Sequence, residues 1–231
     1  MKRILIALAA LVVLATDGVG QSSPQASPKI LIIGGGAFHD YNRWFNKEDS
    51  ATLREAGFTS IEYTESSTNA AKELAGADVA VLSANTAHFD TPEYRKALID
   101  FANAGKGLVF IHSGVWDNWP WPDYQQGLVG GGARSHDGPS PFTEHVVKDH
   151  PVTQGLPATF QVVDELYHFM PEGTPIEVLV EAGPQKYPSV WITRHAKARI
   201  VCIALGHDGR SHTQGEYKKI LCNAVGWVAG R

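Results

Sequence analysis

The sequence predicts an α/β protein: a mainly parallel β-sheet covered by helices on both faces, with additional strands in the second half. Three observations carry that expectation. The first half alternates short apolar runs with helical segments, which is how parallel strands and their crossovers read. The strands predicted at Lys29–Ile33, Asp78–Leu82 and Leu108–Ile111 are apolar nearly throughout rather than alternating, as strands buried on both faces are. The chain has 231 residues, 43% hydrophobic and 19% charged, enough for one large folded domain and too apolar for a disordered chain.

Taken in order, Met1-Lys2-Arg3, the apolar stretch Ile4–Ala15 and the small residues Gly18 and Gly20 form a signal peptide over residues 1–20. Twelve apolar residues are short for a membrane span. Export to the periplasm or beyond is therefore expected, with no membrane attachment after cleavage. Residues 21–28 are Ser-, Pro- and Gln-rich and read as a flexible leader, leaving 29–231 as a single domain. The first strand runs into Gly34-Gly35-Gly36, a tight turn. A helix is predicted from Trp44 to Ala56, stopped by Gly57. Phe58–Tyr63 reads as a strand and Ala70–Leu74 as a short helix. Thr91-Pro92-Glu93 supplies an N-cap with proline at the first helical position, opening a helix to Ala104.

The second half changes character. Residues 115–138 are rich in Trp, Gly and Pro and too long for a plain connection, which points to function. Extended segments are expected at Phe142–Val147, Phe160–Val163 and Ile176–Glu181, then a hairpin of Ser189–Arg194 with Arg199–Leu205. Glu216–Val228 has the spacing of an amphipathic helix.

A net charge of -4 without a Lys/Arg run argues against nucleic acid as a partner. Ten histidines against two cysteines exclude a disulfide scaffold and leave His/Asp/Glu chemistry open. In an oxidising compartment Cys202 and Cys222 could pair, or remain two buried thiols. Ligands of parallel α/β sheets bind beyond the carboxyl ends of the strands, and three such ends carry histidine: His39-Asp40, His112-Ser113 and His207-Asp208. The Gly-rich turn misses the dinucleotide spacing because His39 stands at the third glycine. Ile111 and Val115 replace the glycines of a serine-hydrolase elbow around Ser113. Trp116, Trp119, Trp121 and Tyr124 crowd nine residues; such rings suit stacking on sugar faces, or pin the loop to the domain. His88, His145, His168, His195 and His212 are read as surface or packing residues, and His150 as a turn residue.

Several stretches together resemble the ThuA-like (trehalose utilisation) family: Phe38-His39-Asp40 after the Gly-rich turn; Gly105-Lys106-Gly107 through His112; Gly130-Gly131 with His136; His150-Pro151-Val152-Thr153-Gln154-Gly155-Leu156; Asp164-Glu165-Leu166-Tyr167; Val190-Trp191; and Ala204-Leu205-Gly206-His207-Asp208. Their order and spacing extend over nearly all of the mature chain. The resemblance implies a flavodoxin-like, class I glutamine amidotransferase-like three-layer sandwich, with His112 where an amidotransferase carries its nucleophilic cysteine. Neither cysteine occupies a turn, so thiol-based amide hydrolysis is excluded. The chain departs from its relatives at Ser211-His212, where an aromatic residue is common.

What remains is a cluster of imidazoles and carboxylates. His112, His136 and Glu165 are expected to hold a divalent metal ion (Zn, Mn, Fe or Ni), with His207 as a fourth ligand or a base. His39, Asp40, His207 and Asp208 are the expected catalytic groups, the two aspartates orienting the two histidines. Trp116, Trp119 and Tyr167 are the expected substrate contacts. A metal-free acid/base site from the same residues is the other arrangement. The resemblance implies a small carbohydrate as partner and cleavage, by elimination or hydrolysis, of oxidised (3-keto) glycosides or disaccharides. A non-catalytic sugar-binding or sensing module is the alternative, and self-association stays open.

Overall fold

The computed structural model describes residues 27–84, 89–117 and 120–231. The expected signal peptide, and Trp119 and His88, lie outside the described residues.

Four parallel pairings build one half of a nine-stranded sheet. Strands β1 (Lys29–Gly35), β2 (Ser60–Thr64), β3 (Val79–Ala84), β4 (Gly107–Ile111) and β11 (Ile200–Ile203) lie in the order β2-β1-β3-β4-β11, all parallel. The sheet continues antiparallel through β10 (Tyr187–Thr193), β9 (Ile176–Ala182), β6 (Ser140–Val146) and β7 (Thr159–Asp164). These are the extended segments expected of the second half.

Alternation along β1 shows the three layers. Ile30 and Ile32 belong to one core with Val109, Ile111, Leu221 and Val225, whereas Leu31 and Ile33 belong to another with Leu98, Phe101, Leu108 and Phe110. The first core lies under a π-helical run, Asn42–Asp49, continued by α1 (Ser50–Glu55), together with α5 (Gly215–Val228). The second lies under α2 (Ser67–Glu73) and α3 (Pro92–Asn103). The Thr91 hydroxyl accepts from the Tyr94 amide at 3.3 Å, and the Ser66 hydroxyl caps α2 in the same way through Asn69. A one-turn helix, α4 (Gly209–His212), precedes α5.

Cys202 packs in the second core and Cys222 against the first. They lie on opposite faces of the sheet and both are free thiols, so the pairing raised as one alternative does not form. Burial pushes the Cys222 thiol up to about 11, and raises that of Cys202 further. Neither is a thiolate nucleophile.

The long segment after β4 is more ordered than its composition suggests. Asp123–Val129 forms a π-helical run, and β5 (Gly131–His136) pairs with β8 (Tyr167–Pro171) as a separate antiparallel ribbon. Its register shifts between Ala133 and His136, the mark of a β-bulge, so that His136 stands opposite Tyr167. Gly131 is obligatory in this ribbon: its φ is +140°, and a Cβ there would lie 2.1 Å from the Met170 carbonyl oxygen. No helix among the described residues is long and apolar enough to cross a membrane.

Candidate active site

Parallel strands open onto the site at their carboxyl ends. The loop after β1 delivers His39, β4 ends at His112, and β11 is followed by Gly206-His207. His112 has φ 47°, a left-handed conformation rare for a residue with a Cβ, at a sharp strand-to-helix turn. Pairing of Ile203 with Ile111 brings Ala204 beside His112, and His112 Nδ1 donates to the Ala204 carbonyl at 2.9 Å.

This bond fixes the tautomer. A carbonyl only accepts, so Nδ1 carries the proton and a neutral His112 presents a lone pair at Nε2. Tyr167 Oη meets that nitrogen at 3.2 Å and can donate to it. Glu165 Oε2 also faces it, at 3.4 Å. A carboxylate and a lone pair repel at that distance unless a proton or a cation lies between them.

The same carboxylate collects two more imidazoles. His207 Nδ1 is 3.2 Å from Glu165 Oε2, and His136 Nδ1 is 3.6 Å from Oε1. His39 closes the group from the opposite loop, its ring centroid 4.9 Å from that of His112 and 5.0 Å from that of His207. Donor atoms of His39, His112 and His207 all lie within 4.8 Å of one another. His39 Nδ1 and His207 Nδ1 are buried without an aligned hydrogen-bond partner. Burial, then the neighbouring His112 and His207, pulls the His39 pKa down to about 3, so this imidazole is neutral near pH 7. Burial works to raise the Glu165 carboxyl, but His112 and His207, where a proton on the facing nitrogen lies between ring and carboxylate, outweigh it and pull the group below its ordinary range. Glu165 in turn raises the affinity of His207 for a proton.

Imidazoles with idle nitrogens around one carboxylate fit a divalent ion such as Zn, Mn, Fe or Ni. The donor set nevertheless differs from the expected one. His39 joins His112 and His207, while His136 stands at the edge, with its side chain 35% exposed. The cause is the ribbon, whose bulge holds His136 beside Tyr167 and Trp116, with centroids 5.7 and 5.3 Å away.

Two further assignments are corrected. Asp40 does not orient His39; its Oδ1 accepts from the Arg43 amide at 3.0 Å. Asp208 does not orient His207; it caps α4 through the Arg210 amide and pairs with the Arg210 guanidinium. Residue adjacency in sequence suggested these pairings, but each carboxylate turns toward the helix that follows it.

The carboxylate that organises these loops is Asp164, which the sequence showed only as a member of the Asp164-Glu165-Leu166-Tyr167 stretch. Buried at the end of β7, it accepts from the amides of Glu165 (2.7 Å), Gly206 (2.8 Å) and His207 (3.3 Å), and from the Ser211 hydroxyl. It thereby ties the Glu165 turn to the His207 loop. The only signal in the sequence was its place beside Glu165.

Above the polar floor lies a cleft of about 340 Å³, lined by Phe38, His39, Ser113, Trp116, His136, Glu165, Tyr167 and His207. Trp116 and Tyr167, the expected substrate contacts, line this cleft, whereas Trp121 and Tyr124 are buried in the second core. Phe38, 77% exposed on the rim, adds a further aromatic ring to the cleft wall. Ser113 donates to the Ser83 carbonyl at 2.7 Å, with Tyr41 Oη 3.3 Å from its Oγ, and no imidazole among the described residues bonds to it.

Fold and site together define an amidotransferase-like α/β domain that carries an imidazole–carboxylate cluster at the carboxyl ends of its parallel strands. Comparison with known proteins agrees at the level of the fold. A ThuA-like protein from Parabacteroides merdae superposes with a TM-score of 0.77 at 19% identity, covering 88% of this chain and 90% of that one. One from Bacteroides uniformis gives 0.75 at 21%, covering 91% and 94%. A glutamine amidotransferase from Thermotoga maritima gives 0.61 at 10%, covering 90% and 100%. None of the curated proteins matches in sequence. The family model described as ThuA, trehalose utilisation, matches residues 9–228, and the chain belongs to that family. Its description ties the chain to sugar metabolism.

Proposed function

We propose that this protein is an exported, metal-dependent enzyme that cleaves oxidised (3-keto) glycosides or disaccharides. One observation carries the reading: three imidazoles with idle or acceptor nitrogens converge with a carboxylate at the base of an aromatic-walled cleft. His39, His112 and His207 would hold the ion, with Glu165 completing the donor set. When bound, such an ion supplies Lewis-acid stabilisation of negative charge developing on a keto oxygen.

The chain's own groups account for the remaining chemistry. A keto group at C3 acidifies the proton on C2. His136, at the edge of the cluster and 3.6 Å from Glu165, accepts that proton as general base. The C2–H electron pair forms the C1=C2 double bond, and the C1–O bond breaks with its electrons on the departing oxygen. That oxygen takes a proton, and water adds across the new double bond. Trp116, Tyr167 and the exposed Phe38 ring stack on the apolar faces of the sugar. The leading segment Met1–Gly20 supports export.

The test joins metal analysis of tag-free protein to an activity screen on paired oxidised and parent disaccharides. About one equivalent of metal and cleavage of only the keto-sugar are expected. H136A should keep its metal and lose about 100-fold or more in turnover. Tight sugar binding with no turnover on any keto-sugar would make the protein a binding module instead.

A further inference from the structure

Behind the cleft, a buried pair joins the two loops that deliver His39 and His207. His212 lies in α4 with no solvent exposure; its Nδ1 is 2.7 Å from Asp49 Oδ1 and its Nε2 is 3.1 Å from the Gly206 carbonyl oxygen. Both partners are acceptors. A neutral imidazole has a single N–H, so the His212–Asp49 unit keeps one proton more than an imidazole and a carboxylate need. It is an imidazolium on a carboxylate, or a carboxylic acid donating to Nδ1. Either form leaves an N–H on Nε2 directed at Gly206.

The surroundings leave the pair one arrangement. Tyr217 Oη donates to Asp49 Oδ2 at 3.2 Å. Trp44 stacks on the His212 ring with 13° between planes, and Phe45 meets it edge-on at 4.7 Å. Asp49 ends the π-helical run that starts just after His39-Asp40-Tyr41. The other end of the bridge, Gly206, is gripped on both sides: its amide donates to Asp164 at 2.8 Å and its carbonyl accepts from His212. Its φ is +124°, and a Cβ there would sit 2.9 Å from Ile111 Cγ2, so this peptide is seated against the end of β4. His207 follows directly, with His39 across from it at 5.0 Å.

We propose that His212 and Asp49 are positioning residues that clamp the β11 loop to the helix following the β1 loop, and so set the spacing of His39 and His207. The proposal deepens the reading of the cleft as an ion-holding site and rests on it for its functional meaning. The clamp itself is a statement about geometry.

The experiment separates the two. Through-space NMR contacts between the ring protons of His39 and His207 report the spacing without metal or substrate, and zinc titration reports its consequence. D49N preserves the bonding, since the amide donates to Nδ1 and leaves the Nε2 proton on Gly206. It should keep the ring contacts and hold zinc within about 3-fold of wild type. D49A and H212A should lose the contacts and bind zinc about 10–100-fold more weakly, under conditions where near-UV circular dichroism is native. If either fails to fold, the double variant D49N/H212F keeps a ring against Trp44, leaves no buried lone charge, and should also lose the contacts. Unchanged contacts in D49A and H212A, or in the double variant, would overturn the proposal, as would loss of contacts in D49N equal to that in D49A. Wild-type protein that ignores zinc would refute the ion-holding reading alone, with the ring contacts still deciding the clamp.

Discussion

Glu144 offers a stability prediction whose size follows from its surroundings. It is fully buried on β6; Ser189 donates to its Oε1 at 2.6 Å, but among the described residues Oε2 has no hydrogen-bond partner and no cation pairs with the carboxyl. Burial pushes the carboxyl from 4.5 up to about 8, against a smaller lowering by the Ser189 hydroxyl. The folded protein therefore holds a proton at neutral pH that the unfolded chain releases. Between about 4.5 and 8 the native state binds more protons than the unfolded state, so stability falls as pH rises across that window and levels off above it. At about 1.4 kcal/mol per tenfold change in proton affinity, the full loss is about 5 kcal/mol, of which about 3 has accrued by pH 7. Glu144→Gln keeps the shape and the Ser189 contact and cannot ionise. Near pH 5 the two proteins should melt together. At pH 7 the variant should be more stable by about 3 kcal/mol, raising Tm by about 6–12 °C in a domain of this size, and the gap should widen to pH 8. Denaturant midpoints taken at intervals from pH 5 to 9 measure it. Parallel pH profiles for the two proteins would refute the reasoning, because they would mean that Glu144 ionises in the folded state at its ordinary pKa.

Other outcomes follow from the same structure. Trp116→Ala should weaken sugar binding by about 10-fold with little change in Tm, whereas Trp121→Ala, in the second core, should cost about 3–5 kcal/mol of stability; calorimetry and ligand titration separate them. Asp164→Ala should remove about 3 kcal/mol or more, since four donors lose a buried acceptor, and should abolish metal binding in whatever fraction stays folded. Cys222→Ser should leave turnover unchanged, and mass spectrometry of the wild type should find two free thiols with or without reductant.

Much of the architecture was legible because it depends on local pattern. The apolar runs of β1, β3 and β4 read as buried parallel strands, and the Thr91-Pro92 cap marked the start of α3 to the residue; β11 read only as an arm of the hairpin with β10, and its parallel pairing with β4 was not foreseen. The β5–β8 ribbon was not legible. Gly131-Gly132-Ala133-Arg134-Ser135-His136 has no strand propensity and is extended because Tyr167–Pro171, far along the chain, pairs with it. That pairing also moved His136 to the edge of the cluster and brought His39 in. Strand-end position was enough to find His39, His112 and His207, since the fold sends every parallel strand to the same rim. It could not say where Asp40 and Asp208 would turn, because a carboxylate beside a helix start has its own amides to satisfy. The roles of Asp164, Asp49 and His212 were not legible for a different reason: the partners that give them those roles, Gly206 and Ser211 for Asp164 and each other for Asp49 and His212, are mostly distant in sequence.

The central claim is that His39, His112 and His207, with Glu165, hold a divalent ion. Elemental analysis of tag-free wild type beside H112A, with zinc and manganese titrations of both, tests it most directly. The account predicts about one ion per wild-type chain, none in H112A, and loss of turnover on treatment with a chelator that returns when metal is restored. Wild-type protein that purifies without metal, binds neither added ion and ignores chelators while remaining active would contradict it.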